Sequence, residues 1–224
     1  APHQGNGSAS RSSTDGYNLT ITNTATYNLD LDGDHHFTFL LGQEGVDYHY
    51  EAFSVLVEGQ NNDRLTSIST GTRATSWDDT TDSDYGFLSF FSRGEYNYDR
   101  RLYAEAAFRL DGSSRFGKAN RWGAFWSMGL MWDMLREEFV LPYTDWLTTA
   151  QVSFSTGTSG NSSIPNYEHL ALVGGGADYM GDAGVGLAQP GNEELGWEKP
   201  WTTNFAIHAG LWNRLNIDFE LYYK

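Results

Sequence analysis

From Leu102 to Asp111 the chain alternates without a break. Leu102, Ala104, Ala106, Phe108 and Leu110 fall on one parity; Tyr103, Glu105, Ala107, Arg109 and Asp111 fall on the other. Side chains of a strand point to opposite faces with a period of two, so one face is apolar and the other carries charge. The run from Trp122 to Asp133 repeats the pattern: Ala124, Trp126, Met128, Leu130 and Trp132 share a face opposite Phe125, Ser127, Gly129, Met131 and Asp133. In a soluble sandwich this would read as core and solvent. Long strands with aromatic ends and a polar second face instead predict the wall of a membrane-spanning β-barrel.

The same period recurs along the chain. Tyr17, Leu19, Ile21, Asn23, Ala25, Tyr27 and Leu29 alternate with Asn18, Thr20, Thr22, Thr24, Thr26 and Asn28, the latter a hydroxyl and amide face that suits a water-filled lumen. Asp32-Gly33 supplies a tight turn. A return strand over His36–Tyr50 carries Phe37, Phe39 and Leu41, with Gly42 and Gly45 marking a bulge. Further strands are expected over Leu88–Tyr98, Ala150–Gly157, Thr203–Leu211 and Leu215–Tyr223, with tight turns at Asp99-Arg100 and Asn213-Arg214. Ala1–Asp15 reads as a loop. Glu51–Ser83 reads as a long polar connection with a short helix over Ala52–Glu58, and Thr158–Pro200 as a Gly-rich loop. Met134–Tyr143 reads as a brief helical segment broken at Pro142. The links then alternate compact and long, as in an up-and-down barrel. The fold class is all-β, with about eight strands.

Composition narrows the field. No stretch approaches ~18 consecutive apolar residues, so no segment can cross a bilayer as a helix; a barrel needs only every second residue apolar. Aromatics make up 15% of the chain, including 8 Trp and 13 Tyr, which suits interfacial girdles. A net charge of −15 argues against nucleic acid, which requires clustered Lys and Arg. The absence of cysteine removes disulfides, thiolate metal sites and Cys nucleophiles. The polar N-terminus has no apolar core, so an exported wall would have lost its leader or be an internal piece.

The segment Leu102–Gly123 resembles a barrel segment of the SusC/RagA-like TonB-dependent outer-membrane transporters. Its most specific part is DGSSRFG at Asp111–Gly117, followed by Asn120-Arg121-Trp122-Gly123. Phe154–Asn161 is similar to the family's S-x-G-x-x-G-N strand end. Asn192–Glu198 resembles its N-P-x-L-x-W-E segment, with Glu193 in place of the usual proline. Leu215–Lys224 resembles the strand ending in D-x-Y-x-K, with Glu220 where Asp is common. The resemblance covers Tyr85–Lys224, and the first 84 residues fit by topology only. It implies a 22-stranded barrel around an N-terminal plug in the bacterial outer membrane. It also implies a SusD-like surface lipoprotein as lid, and import of glycans or peptides driven through the TonB complex. Residues 1–224 would then be part of the barrel domain, with the plug, the TonB box and the remaining strands outside this chain.

Candidate chemistry is sparse. Glu105, Arg109 and Asp111 share the polar face and offer either a substrate path or an ion-pair ladder bracing the wall or plug. Trp77 offers a ring for sugar stacking, or an interfacial anchor. Asp78, Asp79, Asp82 and Asp84 offer carboxylates for Ca²⁺, but their spacing matches no EF-hand and reads better as a solvated loop. His35, His36 and His49 form no zinc spacing, and the glycines at 174–176, 181, 184 and 186 lack a nucleotide-loop context. No cofactor is expected. No Ser, His and Asp arrangement has catalytic context, so an enzyme is not expected. The competing reading is a self-contained eight-stranded barrel with a binding or structural role, its interior packed with side chains. The hydroxyl-rich inward face of the first strand favours the wider lumen.

Overall fold

The computed structural model describes residues 7–60, 62, 64, 66–71, 73–179 and 182–224; the side chains of 73–81, 176–179 and 182–183 lie outside that description. Among the described residues there are ten strands: β1 (Gly7–Leu31), β2 (His35–Gln60), β3 (Arg73–Tyr98), β4 (Leu102–Ser113), β5 (Trp122–Asp133), β6 (Leu147–Thr158), β7 (Leu172–Tyr179), β8 (Asp182–Gln189), β9 (Trp201–Leu211) and β10 (Leu215–Tyr223). Eight form one sheet in the order β1-β2-β3-β4-β5-β6-β9-β10, while β7 and β8 form a separate hairpin. The order is linear. A self-contained barrel would need β1 against β10, and among the described residues β1 neighbours β2 and β10 neighbours β9.

Three connections are three-residue hairpins, at 32–34, 99–101 and 212–214. In each, the first two residues take positive φ: Asp32 and Gly33, Asp99 and Arg100, Trp212 and Asn213. That left-handed pair matches the twist of the flanking strands. The last turn therefore centres on Trp212-Asn213, one residue earlier than the Asn-Arg pair suggests.

The register lines up the alternating faces. One row runs Tyr96, Ala104, Leu130, Phe154, Phe205, Leu221, and the next runs Tyr98, Leu102, Trp132, Val152, Ile207, Phe219. The adjacent opposite-face row runs Glu95, Glu105, Gly129, Ser155, Asn204, Tyr222. Phe108, Ile207 and Phe219 do not meet in a dry interior; they are 50%, 38% and 52% exposed. Buried apolar side chains are few and scattered among the described residues, among them Val55, Phe116, Phe125 and Val140. A chain of this length folded in water would bury most of its apolar surface, so these rows need an apolar solvent. On β5 the apolar positions run from Trp122 to Trp132, about 33 Å along the strand. A strand tilt of about 40° reduces that to about 25 Å, the height of a barrel's lipid-facing band.

The chain divides into two compact units, one of Ala1–Thr20 and Val46–Gly86, the other of Ile21–Gly45 and Phe87–Lys224. The first contains the polar reaches of β1, β2 and β3 and a 3-10 turn at Ile68–Thr70, whose first-turn amide at Ser69 bonds the Ser67 hydroxyl. Here the structure corrects the expected loops. β1 begins at Gly7, β2 continues to Gln60 through the segment expected to be helical, and β3 begins at Arg73. At 25 and 26 residues these strands far exceed the ~10 residues that cross a membrane. Beyond the lipid layer both faces meet water, so the apolar period vanishes while ladder pairing continues. The Gly-rich stretch expected as a loop likewise contains the hairpin β7–β8.

The second unit carries the apolar rows. Gly42 is a close approach within β2: a Cβ there would collide with the ring of Phe91. The connection from β5 to β6 spans 134–146 and holds two single 3-10 turns, Met134–Arg136 and Leu141–Tyr143. It is longer than the 114–121 link between β4 and β5, so compact and long links do not alternate strictly.

Candidate functional site

The polar face of β3 and β4 carries the ions. Glu95 lies directly opposite Glu105 in the ladder, a like-charge pair that would repel. Arg93 resolves it. Its Nη2 reaches Glu95 Oε1 and Glu105 Oε2, both at 2.8 Å. Four residues further along β4, Arg109 organises a second group. Its Nε donates to Asp111 Oδ1 at 2.6 Å, and its Nη2 donates to Ser89 Oγ at 3.0 Å and Glu44 Oε1 at 3.4 Å. The guanidinium also lies 5.4 Å from the centroid of Phe91, within cation–π reach. Glu44 accepts in turn from Thr22 Oγ1 at 3.0 Å.

Glu105 and Arg109 therefore belong to separate clusters, and Arg109 with Asp111 to one. The partners Glu44, Ser89, Arg93 and Glu95 were not among the candidates. Their signal was in the sequence: the Asp99-Arg100 turn sets the β3–β4 register, and each partner on β3 shares the polar parity of its mate. Arg93, Glu95 and Glu105 are roughly half-exposed, so each of the Arg93 pairs contributes about 0–1 kcal/mol. What they supply is a fixed arrangement of charge on a water-facing wall.

Trp77 lies within β3, and its side chain, with those of Asp78 and Asp79, falls outside the described residues. The rest of that acidic run is visible. Asp84 Oδ1 lies 2.6 Å from His49 Nδ1 and Asp82 Oδ1 lies 3.9 Å from it. The hydrogen bond to Asp84 holds the His49 pKa above its ordinary value. Nearby, the Tyr17 hydroxyl donates to Asp47 Oδ2 at 3.1 Å, and that carboxylate raises the phenol's pKa. Tyr17, His49 and Asp84 each lie 14 residues along their strands from Leu31, His35 and Tyr98, the strand ends at the three-residue hairpins, beyond the ~10 residues that cross a membrane.

The DGSSRFG segment forms a clasp. Phe116 is fully buried, its ring 4.9 Å from that of Trp197. Trp197 Nε1 donates to the Arg121 carbonyl at 2.9 Å, and Asn120 Nδ2 donates to the Glu194 carbonyl at 2.9 Å. Arg115 reaches Asn166 Oδ1 at 2.7 Å and the Ser162 carbonyl at 3.2 Å. A Cβ at Gly117 would stand 2.5 Å from the Glu193 carbonyl oxygen, so only glycine lets the two backbones meet. Asn161 pairs with Glu198 through both backbone and side chain. The clasp thus ties three links together: 114–121, 159–171 and 190–200. These are packing and hydrogen-bonding roles, and the alternation pattern alone gave no sign of them.

Comparison with known proteins agrees with this geometry. A family model described as TonB dependent receptor-like, beta-barrel, matches residues 2–224. The chain is 29% identical over 213 residues to TonB-dependent receptor P39 of Formosa agariphila, covering 93% of this chain and 20% of that protein. It is 30% identical over 217 residues to TonB-dependent receptor SusC of Bacteroides thetaiotaomicron, covering 93% of this chain and 21% of that one. The structure of the RagAB peptide importer in its closed-closed state matches with a TM-score of 0.86 at 33% identity, over 95% of this chain and 24% of that one. The chain spans about a quarter or less of each relative.

Proposed function

The chain belongs to the TonB-dependent receptor-like β-barrel family, and from that premise we propose that the protein carrying it imports a nutrient across the bacterial outer membrane. This chain supplies eight adjacent strands of the wall and part of the long-link side. The cargo is a glycan or a peptide, the two classes that the SusC/RagA-like resemblance implies; similarity to the RagAB peptide importer supports the peptide. The partners proposed on the same ground are a SusD-like surface lipoprotein and the TonB complex, the latter reached through a plug outside this chain.

The observation that carries this reading is the two-faced register. Apolar side chains align across six strands on one face, while Glu105, Ser155 and Asn204 align on the other. Glu105, Arg109 and Asp111 are proposed to line the substrate path, held in place by Arg93 and Ser89. Trp77 is proposed as a stacking residue for a sugar ring.

Gene deletion tests the proposal. Uptake of labelled oligosaccharides and labelled oligopeptides is compared between parent and deletion strains, with and without a working TonB complex. Loss of one class, equal in the deletion and TonB-deficient strains, is expected. Unchanged uptake of both classes in the deletion overturns the reading.

A further inference from the structure

We propose that the connection between β5 and β6, residues 134–146, is an interfacial foot that inserts its aromatic side chains into the membrane leaflet on the short-turn side. The inference rests on the lipid-facing reading of the apolar rows and goes beyond it, because this segment is not strand. Three of the four links on that side need only three residues to turn the chain. The fourth uses thirteen, 134–146, and its extra length is ordered rather than slack. Val140 is buried at 6% exposure and anchors the segment. Its sequence neighbours point the other way: Phe139 is 59% exposed, Leu141 53% and Tyr143 51%.

In water that arrangement is unfavourable, since a turn of this length could carry polar residues at all three positions. The rings are continuous with the lipid-facing wall. Phe139 packs edge-on against Trp132, a member of the outward apolar row, at 6.1 Å between centroids. Tyr143 packs edge-on against Trp146 at 6.1 Å, and Trp146 lies 6.3 Å from Trp212 of the neighbouring hairpin. The Trp212 amide donates to the Trp146 carbonyl at 2.7 Å, fixing the two links side by side. Pro142, inside the Leu141–Tyr143 turn, stiffens the backbone that presents them.

Charge sets the depth. Glu138 and Asp145 flank the apolar positions and are exposed. Ionised carboxylates stay out of hydrocarbon, so the foot rests at the headgroup–acyl boundary, where amphipathic rings are favoured. The occupant is thus the lipid interface itself.

The test uses the full-length protein in liposomes with nitroxide labels placed singly by cysteine substitution. Phe139→Cys and Leu141→Cys are compared with Asp32→Cys, on a hairpin of the same side, and with Met128→Cys, in the apolar band. Collisional accessibility to oxygen and to a water-soluble nickel chelate is read at each site. Retention of the folded barrel's electrophoretic mobility in unheated samples, with the shift on boiling, selects variants for comparison. The expected result is chelate accessibility at 139 and 141 several-fold below that at 32, with oxygen accessibility close to that at 128. Chelate accessibility equal to that at 32 overturns the foot, and low accessibility to both reagents overturns it in favour of a protein contact. If the label at 128 is itself chelate-accessible, it is the lipid-facing wall that fails.

Discussion

Met128→Arg is the substitution that the outward-face assignment makes most costly. Met128 lies near the middle of the β5 apolar run, between the boundary residues Trp122 and Trp132. It is 48% exposed, and its ladder partners are the small residues Ala106 and Thr156. Neither partner, nor any residue in the neighbouring apolar rows, carries a carboxylate to receive a guanidinium. From Met128 to either boundary is about 13–20 Å along the strand, farther than an extended arginine side chain reaches, so the head group cannot leave the hydrocarbon cheaply. The expected cost is about 2–4 kcal/mol, which shifts the folding equilibrium roughly 30- to 1,000-fold. Ser127→Arg, one residue away on the water-facing parity, is the control and should cost about 0.5 kcal/mol or less. The assay is chemical unfolding of the full-length protein in lipid vesicles, followed by tryptophan fluorescence. Equal effects of the two substitutions refute the assignment of faces. In a water-soluble sheet Met128, half-exposed, would accept arginine at almost no cost.

Other substitutions probe packing and charge. Phe116→Ala removes the buried ring of the clasp and should cost about 3–5 kcal/mol by thermal unfolding; an unshifted midpoint would show that Phe116 does not hold the three links. Gly42→Ala drives a methyl into Phe91 and should destabilise by about 1–3 kcal/mol, with Phe91→Ala restoring most of the loss in the double variant; additive losses would disprove the contact. Arg93→Met leaves Glu95 and Glu105 facing each other unbridged, so Glu105→Gln should partly rescue it in the same unfolding assay, and absence of rescue would count against the bridge. His49 has a folded pKa above its unfolded value of about 6.5. Its pairing with Asp84 therefore stabilises fully below that pH and is lost as pH rises through the raised folded pKa. Thermal scans should show His49→Gln less stable than the parent at pH 5.5 and the difference shrinking by pH 8.5; a difference that grows with pH would contradict the pairing.

How much was legible in the sequence followed from which solvent each residue meets. Inside the lipid band the bilayer demands an apolar side chain at every second position. Strands such as Leu102–Asp111 and Leu215–Tyr223 could therefore be read almost to the residue. The glycine and aspartate turns could be read because left-handed φ demands them. Outside the band that demand lapses. Ser8 to Asp15, Glu51 to Gln60 and the start of β3 are strand by pairing alone, and composition made them look like loops. The hairpin β7–β8 was hidden for the same reason, its glycines suggesting a loop although the ladder accepts them. The ionic clusters were half visible. Glu105, Arg109 and Asp111 stood out on one strand, while Glu44, Ser89 and Arg93 emerge only when neighbouring strands are placed in register. The clasp was visible as a family resemblance, but the aromatic pair and the glycine contact that close it join residues about 80 positions apart, beyond any local pattern.

The central claim is that one face of this sheet meets lipid and the other meets water. A nitroxide scan along β5, one cysteine at a time from Gly123 to Met131 in the full-length protein in liposomes, tests it most directly. Oxygen accessibility is expected to peak at 124, 126, 128 and 130, and nickel-chelate accessibility, where the label is not covered by protein, to rise only at the positions between them. Uniform accessibility along the strand, or chelate maxima at 126 and 128, would contradict it.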